Sequence, residues 1–183
     1  FRSSATMKKS GSFDGSPSVL FEGRTPPLLQ GMRILVPEKL AFIALQQSKI
    51  SQVKRLMMDI PIICSTSDLH DQYLPFCDDF GPVNLGVVHR FFLSMSGLLG
   101  KIEAATTKPM LLYYFEPDAE TCANASFLLA VFLMLRFNFN PEQAAEAFIG
   151  PHAPFNLPFF RDATYAPSSY DLSLLDLARG VAA

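Results

Sequence analysis

Residues 110–137 read MLLYYFEPDAETCANASFLLAVFLMLRF, and this stretch decides the fold. Its first six residues, Met110–Phe115, are all apolar or aromatic, which is typical of a buried strand. A short polar loop follows, and the apolar run beyond it predicts a long helix over Ala119–Phe137 with Asp118 as its N-cap. A buried strand that leads through a short loop into a helix predicts an α/β or α+β domain.

Further strands are predicted upstream of this segment. Two short apolar runs, Ile34–Val36 and Leu40–Leu45, are separated by the turn at residues 37–39. Pro61–Cys64 predicts another strand. Residues 46–59 fit neither a strand nor a helix pattern, so their structure stays open.

Three more helices are predicted around it. Apolar residues spaced three and four apart from Leu85 to Leu99 indicate an amphipathic helix with Pro82 in its first turn. The run Asn140-Pro-Glu-Gln143 predicts a capping box, and Gly150 closes that helix. A final helix is expected to begin near Ser168 or Ser169 and to end near Gly180.

Composition limits the class of protein. The chain has 183 residues, of which 49% are hydrophobic and 17% charged, so it can bury a sizeable core. Residues 1–31 are rich in Ser, Gly and Pro and predict an extended arm, which leaves residues 32–183 as one domain. A formal net charge of −2 argues against a nucleic-acid partner. The longest apolar run, residues 127–135, is too short to cross a membrane and predicts a buried helix instead.

The cysteines indicate reduced thiols. Cys64, Cys77 and Cys122 form no C-x-x-C pair and have no histidine-rich partner segment, so neither a disulfide framework nor a metal site is predicted. No other cofactor is expected. Residues 2–18 are polar and contain no secretory signal. These features favour the cytoplasm or the nucleus.

The strand, loop and helix form an arrangement that commonly binds anions, because loop N–H groups and the helix dipole converge there. Cysteine-dependent phosphatases place a low-pKa cysteine in such a loop and an arginine six residues later, which grips the phosphoryl oxygens. In this sequence the residue six positions after Cys64 is His70, after Cys77 it is Val83, and after Cys122 it is Leu128. A phosphate-hydrolysing thiolate loop is therefore not expected, and no catalytic residue is assigned.

The loop also has the wrong charge for phosphate. If Tyr114 stands where the nucleophile would be, Glu120 takes the place of the arginine, and no Lys or Arg occurs between Lys108 and Arg136. The degenerate phosphate loop thus comprises six residues: Tyr114, Phe115, Glu116, Asp118, Glu120 and Cys122. Its carboxylates either stabilise the helix dipole or form part of an acidic surface for a basic partner.

Four motifs resemble the N-terminal domain of the cell-division-cycle-fourteen dual-specificity phosphatases. The run from Phe76 to Leu85, FCDDFGPVNL, is similar to that family's FYxDFGPxNL signature, and ANASFL at residues 123–128 to its ANAxFL helix start. PEQA at residues 141–144 resembles the family's PEEA helix start. LPFFRDA at residues 157–163 resembles its PFRDA turn, with one extra Phe in this chain. The four occur in the family's order over residues 32–183.

This resemblance implies a dual-specificity-phosphatase-like α/β domain with a central mixed sheet flanked by helices. The resemblance also implies that this domain has no catalytic activity of its own, because the family's catalytic Cys and Arg lie in a second domain. That second domain is expected beyond residue 183. The resemblance further implies an acidic groove that reads basic residues of phosphoprotein substrates, for which Glu142, Glu146 and Asp171 are the candidates. Arg161 and Asp162 are interpreted either as fixing their turn or as an interdomain contact.

Two other functions stay open beside a substrate-binding and interdomain module. One is a free-standing pseudophosphatase that serves as a scaffold. The other is a thiol hydrolase built on Cys122, which is disfavoured because a thiol buried within a helix is usually inert.

Overall fold

The computed structural model describes residues 26–56, 62–66, 73–107, 109–150 and 153–183. Within these residues, four strands and five helices follow a 3-10 turn at Pro27–Leu29. The strands are β1 (Arg33–Val36), β2 (Leu40–Ala44), β3 (Ile62–Thr66) and β4 (Met110–Phe115). The helices are α1 (Gln47–Leu56), α2 (Leu85–Ala104), α3 (Ala119–Phe137), α4 (Pro141–Ile149) and α5 (Leu174–Ala182).

The strands form one mixed sheet in the order β1-β2-β4-β3. β1 and β2 are an antiparallel hairpin, whereas β4 is parallel to both of its neighbours, with Leu111 opposite Leu40 and Met110 opposite Ile62. All six residues of β4 are buried, as expected of a central strand covered on both faces. The predicted α/β fold with a central mixed sheet flanked by helices is confirmed.

The larger core lies between one face of the sheet and the helices α2 to α5. Its biggest fully buried side chains are aromatic: Phe42, Phe91, Tyr113, Phe115, Phe132 and Phe148. Most of these rings pack edge-to-face or tilted, at centroid distances such as 5.0 Å for Phe42 and Phe148, whereas Phe42 and Phe115 are stacked at 6.0 Å. Both arrangements suit the quadrupole of aromatic rings. α3 lies deepest, because residues 122–133 are all buried.

The smaller core lies on the opposite face, under α1 and the 3-10 turn. Leu29, Ile43, Leu112 and Tyr114 belong to it, together with Ile50 and Val53 of α1. The sequence left α1 open because only these two of its residues are buried and all of its other residues except Leu56 are polar. The spacing of three between Ile50, Val53 and Leu56 is a weak helical pattern in the sequence.

The expected place of Pro82 was wrong. α2 begins at Leu85, and its N-cap is Asn84, whose Oδ1 accepts a hydrogen bond from the Val87 N–H at 3.1 Å. A capping side chain must stand outside the helix to reach that N–H, so Pro82 lies two residues ahead of the cap. The helix also continues past Leu99 to Ala104.

The expected start of the last helix was also wrong. The hydroxyl of Ser168 donates to Asp162 at 2.6 Å, and Leu172 pairs with Phe160 in an isolated β-bridge, which holds this segment extended. α5 starts only after Ser173, which forms a capping box with Asp176. The capping box predicted at Asn140 and the closure of α4 at Gly150 are confirmed.

Among the described residues, one helix is long and apolar enough to cross a membrane by length and composition, and it is α3. Most of that stretch, 67%, is buried inside the protein. This is the burial that the sequence predicted for its apolar run. Most of the predicted arm, residues 1–25, lies outside the described residues, so its boundary at residue 32 stays a prediction.

Candidate functional site

The candidate site is the loop between β4 and α3, where the phosphate cradle of a phosphatase would lie. Tyr114 and Phe115 end the strand and point to opposite faces of the sheet, as successive strand residues do. Tyr114 joins the smaller core, and Phe115 joins the larger one. Both side chains are therefore committed to packing rather than to the loop.

Two of the three loop carboxylates cap helices. Oδ1 of Asp118 accepts the Thr121 N–H at 2.8 Å, which confirms the predicted N-cap of α3. Oε1 of Glu116 accepts the N–H of Gln47 at 3.0 Å and so caps α1, a helix 69 residues away in sequence. Glu120 is exposed in the first turn of α3. Negative charge at these helix starts is stabilising, and it opposes the approach of a phosphate dianion.

Cys122 is unsuited to nucleophilic attack. Its side chain is buried, and its Sγ lies 3.8 Å from the carbonyl oxygen of Glu116. Burial, assisted by the nearby charge of Asp118, raises the pKa of this thiol to about 12. Reactive cysteines need the opposite environment, which lowers the pKa and exposes the sulfur.

Cys122 should therefore resist alkylation in the folded protein. At pH 8 a thiol of pKa about 12 is ionised in about one molecule in ten thousand, and only the thiolate reacts. Iodoacetamide followed by peptide mass spectrometry should label Cys77, which is half-exposed, while Cys122 is labelled only after unfolding in urea. Equal labelling of the two in the native protein would contradict this account of the site.

Asn124 is a site residue that the sequence reasoning did not single out. Its side-chain oxygen accepts the Val83 N–H at 3.1 Å, and its amide donates to the carbonyls of Phe80 at 2.7 Å and Glu120 at 3.2 Å. This buried amide ties the segment ahead of α2 to the first turn of α3. Its place inside the ANASFL motif was the available signal, since an Asn in an otherwise apolar helix needs buried partners.

Gly81 makes this tie possible. A Cβ at Gly81 would lie 2.5 Å from the Oδ1 of Asn124 and 2.9 Å from the ring of Phe160. Phe160 also packs on Phe80, with ring centroids 5.3 Å apart. Three of the four motifs quoted above therefore meet at one point, beside the start of α3.

Asp79 fixes the conformation of the same segment. Its carboxylate is buried, accepts the backbone N–H groups of Phe76 at 2.9 Å and Cys77 at 2.6 Å, and accepts the hydroxyl of Tyr73. The hydrogen bond from Tyr73, followed by that from Cys77, holds the pKa of Asp79 below its usual value. The same contact raises the pKa of Tyr73 to about 12.

Arg161 and Asp162 do not pair mainly with each other but hold their turn through other partners. The guanidinium of Arg161 donates to the carbonyls of Thr164 at 3.0 Å and Ala166 at 2.8 Å, and it lies 3.8 Å from a carboxylate oxygen of Asp78. The hydroxyl of Ser168 is the first cause that lowers the pKa of Asp162. These contacts agree with the first of the two predicted roles, which is to fix the turn. The interdomain role stays a prediction.

The predicted acidic groove is only partly brought together. Glu142 and Glu146 are exposed and lie four residues apart, so they share a face of α4. Glu142 forms an ion pair with Arg179 of α5, at 2.9 Å. Asp171 lies on the segment ahead of α5, where its Oδ1 is 2.6 Å from the hydroxyl oxygen of Ser168. In the described part of the chain, no group of three or more His, Cys, Asp and Glu side chains is arranged to hold a metal ion.

Comparison with known proteins agrees with the motifs. The family model described as "Dual specificity protein phosphatase, N-terminal half" matches residues 34–183. Similar proteins include the Tyrosine-protein phosphatase CDC14 homolog of Schizosaccharomyces pombe, 36% identical over 111 residues, and the Dual specificity protein phosphatase CDC14A of Mus musculus, 32% identical over 109 residues. Each match covers 60% of this chain but only 20% and 18% of those relatives, respectively. The matched part therefore spans about a fifth of the length of these curated relatives.

Proposed function

The chain belongs to the family of N-terminal halves of dual-specificity protein phosphatases, and we propose that it is a non-catalytic substrate-binding and interdomain module. The observation that carries this proposal is the loop between β4 and α3. It has the topology of a phosphate cradle, yet its carboxylates cap two helices and its cysteine is buried with a raised pKa.

The chemistry itself is assigned to a following domain of the same protein. A Cys-Arg loop there would remove phosphate from phosphoproteins, which makes the parent protein a phosphatase. The relatives carry phosphatase names, and the matched part is only about a fifth of their length. The substrates proposed are phosphoproteins with basic residues, because Glu146 exposes a carboxylate on the same face of α4 as Glu142, which already binds Arg179. The location proposed is the cytoplasm or the nucleus, because reduced thiols are typical of those compartments.

Purified residues 1–183 are expected to hydrolyse para-nitrophenyl phosphate no faster than it hydrolyses in buffer without protein. The physical reason is that the Cys122 thiol is not ionised and that the loop itself contains no Lys or Arg to stabilise a transferring phosphoryl group. Initial rates of the wild type, Cys122→Ser and the matched control Cys77→Ser should be indistinguishable. Turnover that disappears with Cys122→Ser and survives Cys77→Ser would sink the proposal and revive the thiol hydrolase.

A free-standing pseudophosphatase scaffold is the second candidate, favoured by the same inert loop. The two proposals differ in what the parent protein does. The protein expressed from the whole gene should dephosphorylate a phosphoserine peptide with basic residues if a catalytic domain follows. If that protein is inactive and its coding sequence contains no His-Cys-x-x-Gly-x-x-Arg segment, the scaffold is the correct proposal.

A further inference from the structure

The helix α1 is held at its start by a side chain from a distant part of the chain. Gln46 precedes α1, and glutamine is not among the side chains that cap helices well. The first turn of α1 contains no acidic residue either. Its cap is the carboxylate of Glu116, which accepts the N–H of Gln47 at 3.0 Å, and we call this contact the Glu116 cap. Each of the helices α2 to α5 is instead capped by the residue directly before it, namely Asn84, Asp118, Asn140 and Ser173.

Packing alone holds α1 weakly. The helix has ten residues, and isolated helices shorter than about 12–15 residues are marginal in water. Of these ten, Ile50 and Val53 are the two that are buried, so α1 covers the smaller core with two side chains. In α3, by contrast, all residues from 122 to 133 are buried. The folded state of α1 therefore depends on its N-terminal cap more than that of α3 does.

The Glu116 cap connects the two faces of the sheet. β2 and β4 are parallel neighbours that end side by side, where the N–H of Leu45 donates to the carbonyl of Phe115 at 2.8 Å. From there α1 packs on the smaller core and α3 packs on the larger one. The loop after β4 supplies Glu116 to α1 and Asp118 to α3. A change in this loop therefore reaches helix starts on both faces of the sheet.

We infer that α1 is a conditionally folded helix whose attachment to the sheet is set by the Glu116 cap. When the carboxylate leaves the Gln47 N–H, α1 opens as a local unit while β4 and α3 stay folded. Elements with few buried contacts commonly open in this way, below the free energy of global unfolding. Because coupling is reciprocal, an event that moves Glu116 loosens α1, and an event that orders α1 stabilises the loop. This device goes beyond the proposed function, since it holds whether or not a catalytic domain follows.

Hydrogen–deuterium exchange of the 183-residue protein, read by peptide mass spectrometry, tests the inference. Glu116→Ala should speed the exchange of amides 51–56 in α1 at least about threefold, within the roughly two- to thirtyfold that loss of a helix cap gives. The amides of β4 and α3 should stay within about twofold of their wild-type rates and so report that the domain is folded.

Two further variants at position 116 separate the reach of the side chain from its charge. Glu116→Gln keeps the length and an oxygen that can accept the Gln47 N–H, so the exchange of α1 should fall between that of the wild type and that of Glu116→Ala. Glu116→Asp keeps the charge but is one methylene shorter, so its effect should approach that of Glu116→Ala. The matched control is Glu120→Ala, which removes the same charge close to the loop and leaves the Glu116 cap in place. It should leave α1 unchanged.

Three results would overturn the inference. The first is an exchange of α1 that Glu116→Ala does not change. The second is an acceleration of β4 and α3 as large as that of α1, since α1 would then open only together with the whole domain. The third is an equal effect of Glu120→Ala, which would assign the stabilisation to the charge of the loop and not to the contact. Phosphatase activity enters none of these measurements, so each of these outcomes leaves the proposed function untouched.

Discussion

Gly81→Ala is expected to lower the free energy of unfolding by about 2–6 kcal/mol. The new methyl group would lie 2.5 Å from Oδ1 of Asn124, an atom that is itself hydrogen-bonded to the Val83 N–H. Overpacking costs about 1–3 kcal/mol, and a buried N–H that loses its acceptor costs about 1–3 kcal/mol more. Urea denaturation followed by far-ultraviolet circular dichroism measures the change.

The chain offers a matched control for that variant. Gly97 lies in α2, and a Cβ there would meet no atom within 4 Å. Gly97→Ala should therefore stabilise the protein by about 0.5–1 kcal/mol, because alanine loses less backbone entropy in a helix. Adding Asn124→Ala to Gly81→Ala should cost less than the sum of the two single changes, since the clashing atoms are removed. Similar effects of Gly81→Ala and Gly97→Ala would refute the proposed tie.

Phe42→Ala should cost about 3–5 kcal/mol of the same free energy. Phe42 lies on β2 and is fully buried, with ring centroids 6.0 Å from Phe115, 5.0 Å from Phe148 and 6.2 Å from Phe155. Its removal leaves a cavity that rings from β4, α4 and the following loop cannot fill together. Because the free energy of unfolding of native proteins is only about 5–15 kcal/mol, this variant should be close to losing its folded state.

The control for the aromatic core is Phe76→Ala in the 183-residue chain. Phe76 is 80% exposed, so its loss should change the free energy of unfolding by less than about 0.5 kcal/mol. The midpoints of urea denaturation of the two variants should therefore be well separated at an unchanged slope. A cost below about 1.5 kcal/mol for Phe42→Ala would show that the aromatic core repacks around the gap.

The proposed lack of phosphatase chemistry in this domain has a physical basis beyond a missing nucleophile. A phosphate cradle keeps its backbone N–H groups free and its charge positive. Here the N–H of Thr121 is taken by Asp118, and Glu116 is bonded to α1. Both carboxylates stabilise helix starts, so a phosphate dianion would have to displace structural contacts and meet charge of its own sign.

Local patterns determined much of this protein. The bounds of β4 and α3, the N-cap at Asp118 and the capping box at Asn140 followed from the sequence, because periodicity and capping act within a few residues. The negative charge of the loop also followed directly from the sequence. The same reasoning placed Pro82 in α2 because it overlooked Asn84 as the N-cap. It started α5 too early because it overlooked the contacts of Ser168 with Asp162 and of Leu172 with Phe160, which hold the preceding segment extended.

The tertiary structure alone decided which of these residues meet. Glu116 caps a helix 69 residues away, and the N–H of Val83 finds its acceptor 41 residues away in Asn124. Such partners are selected by how the helices pack on the sheet, and no local periodicity encodes that choice. The sequence thus determined a strand, an acidic loop and a helix, whereas packing turned that loop into a structural junction between α1 and α3.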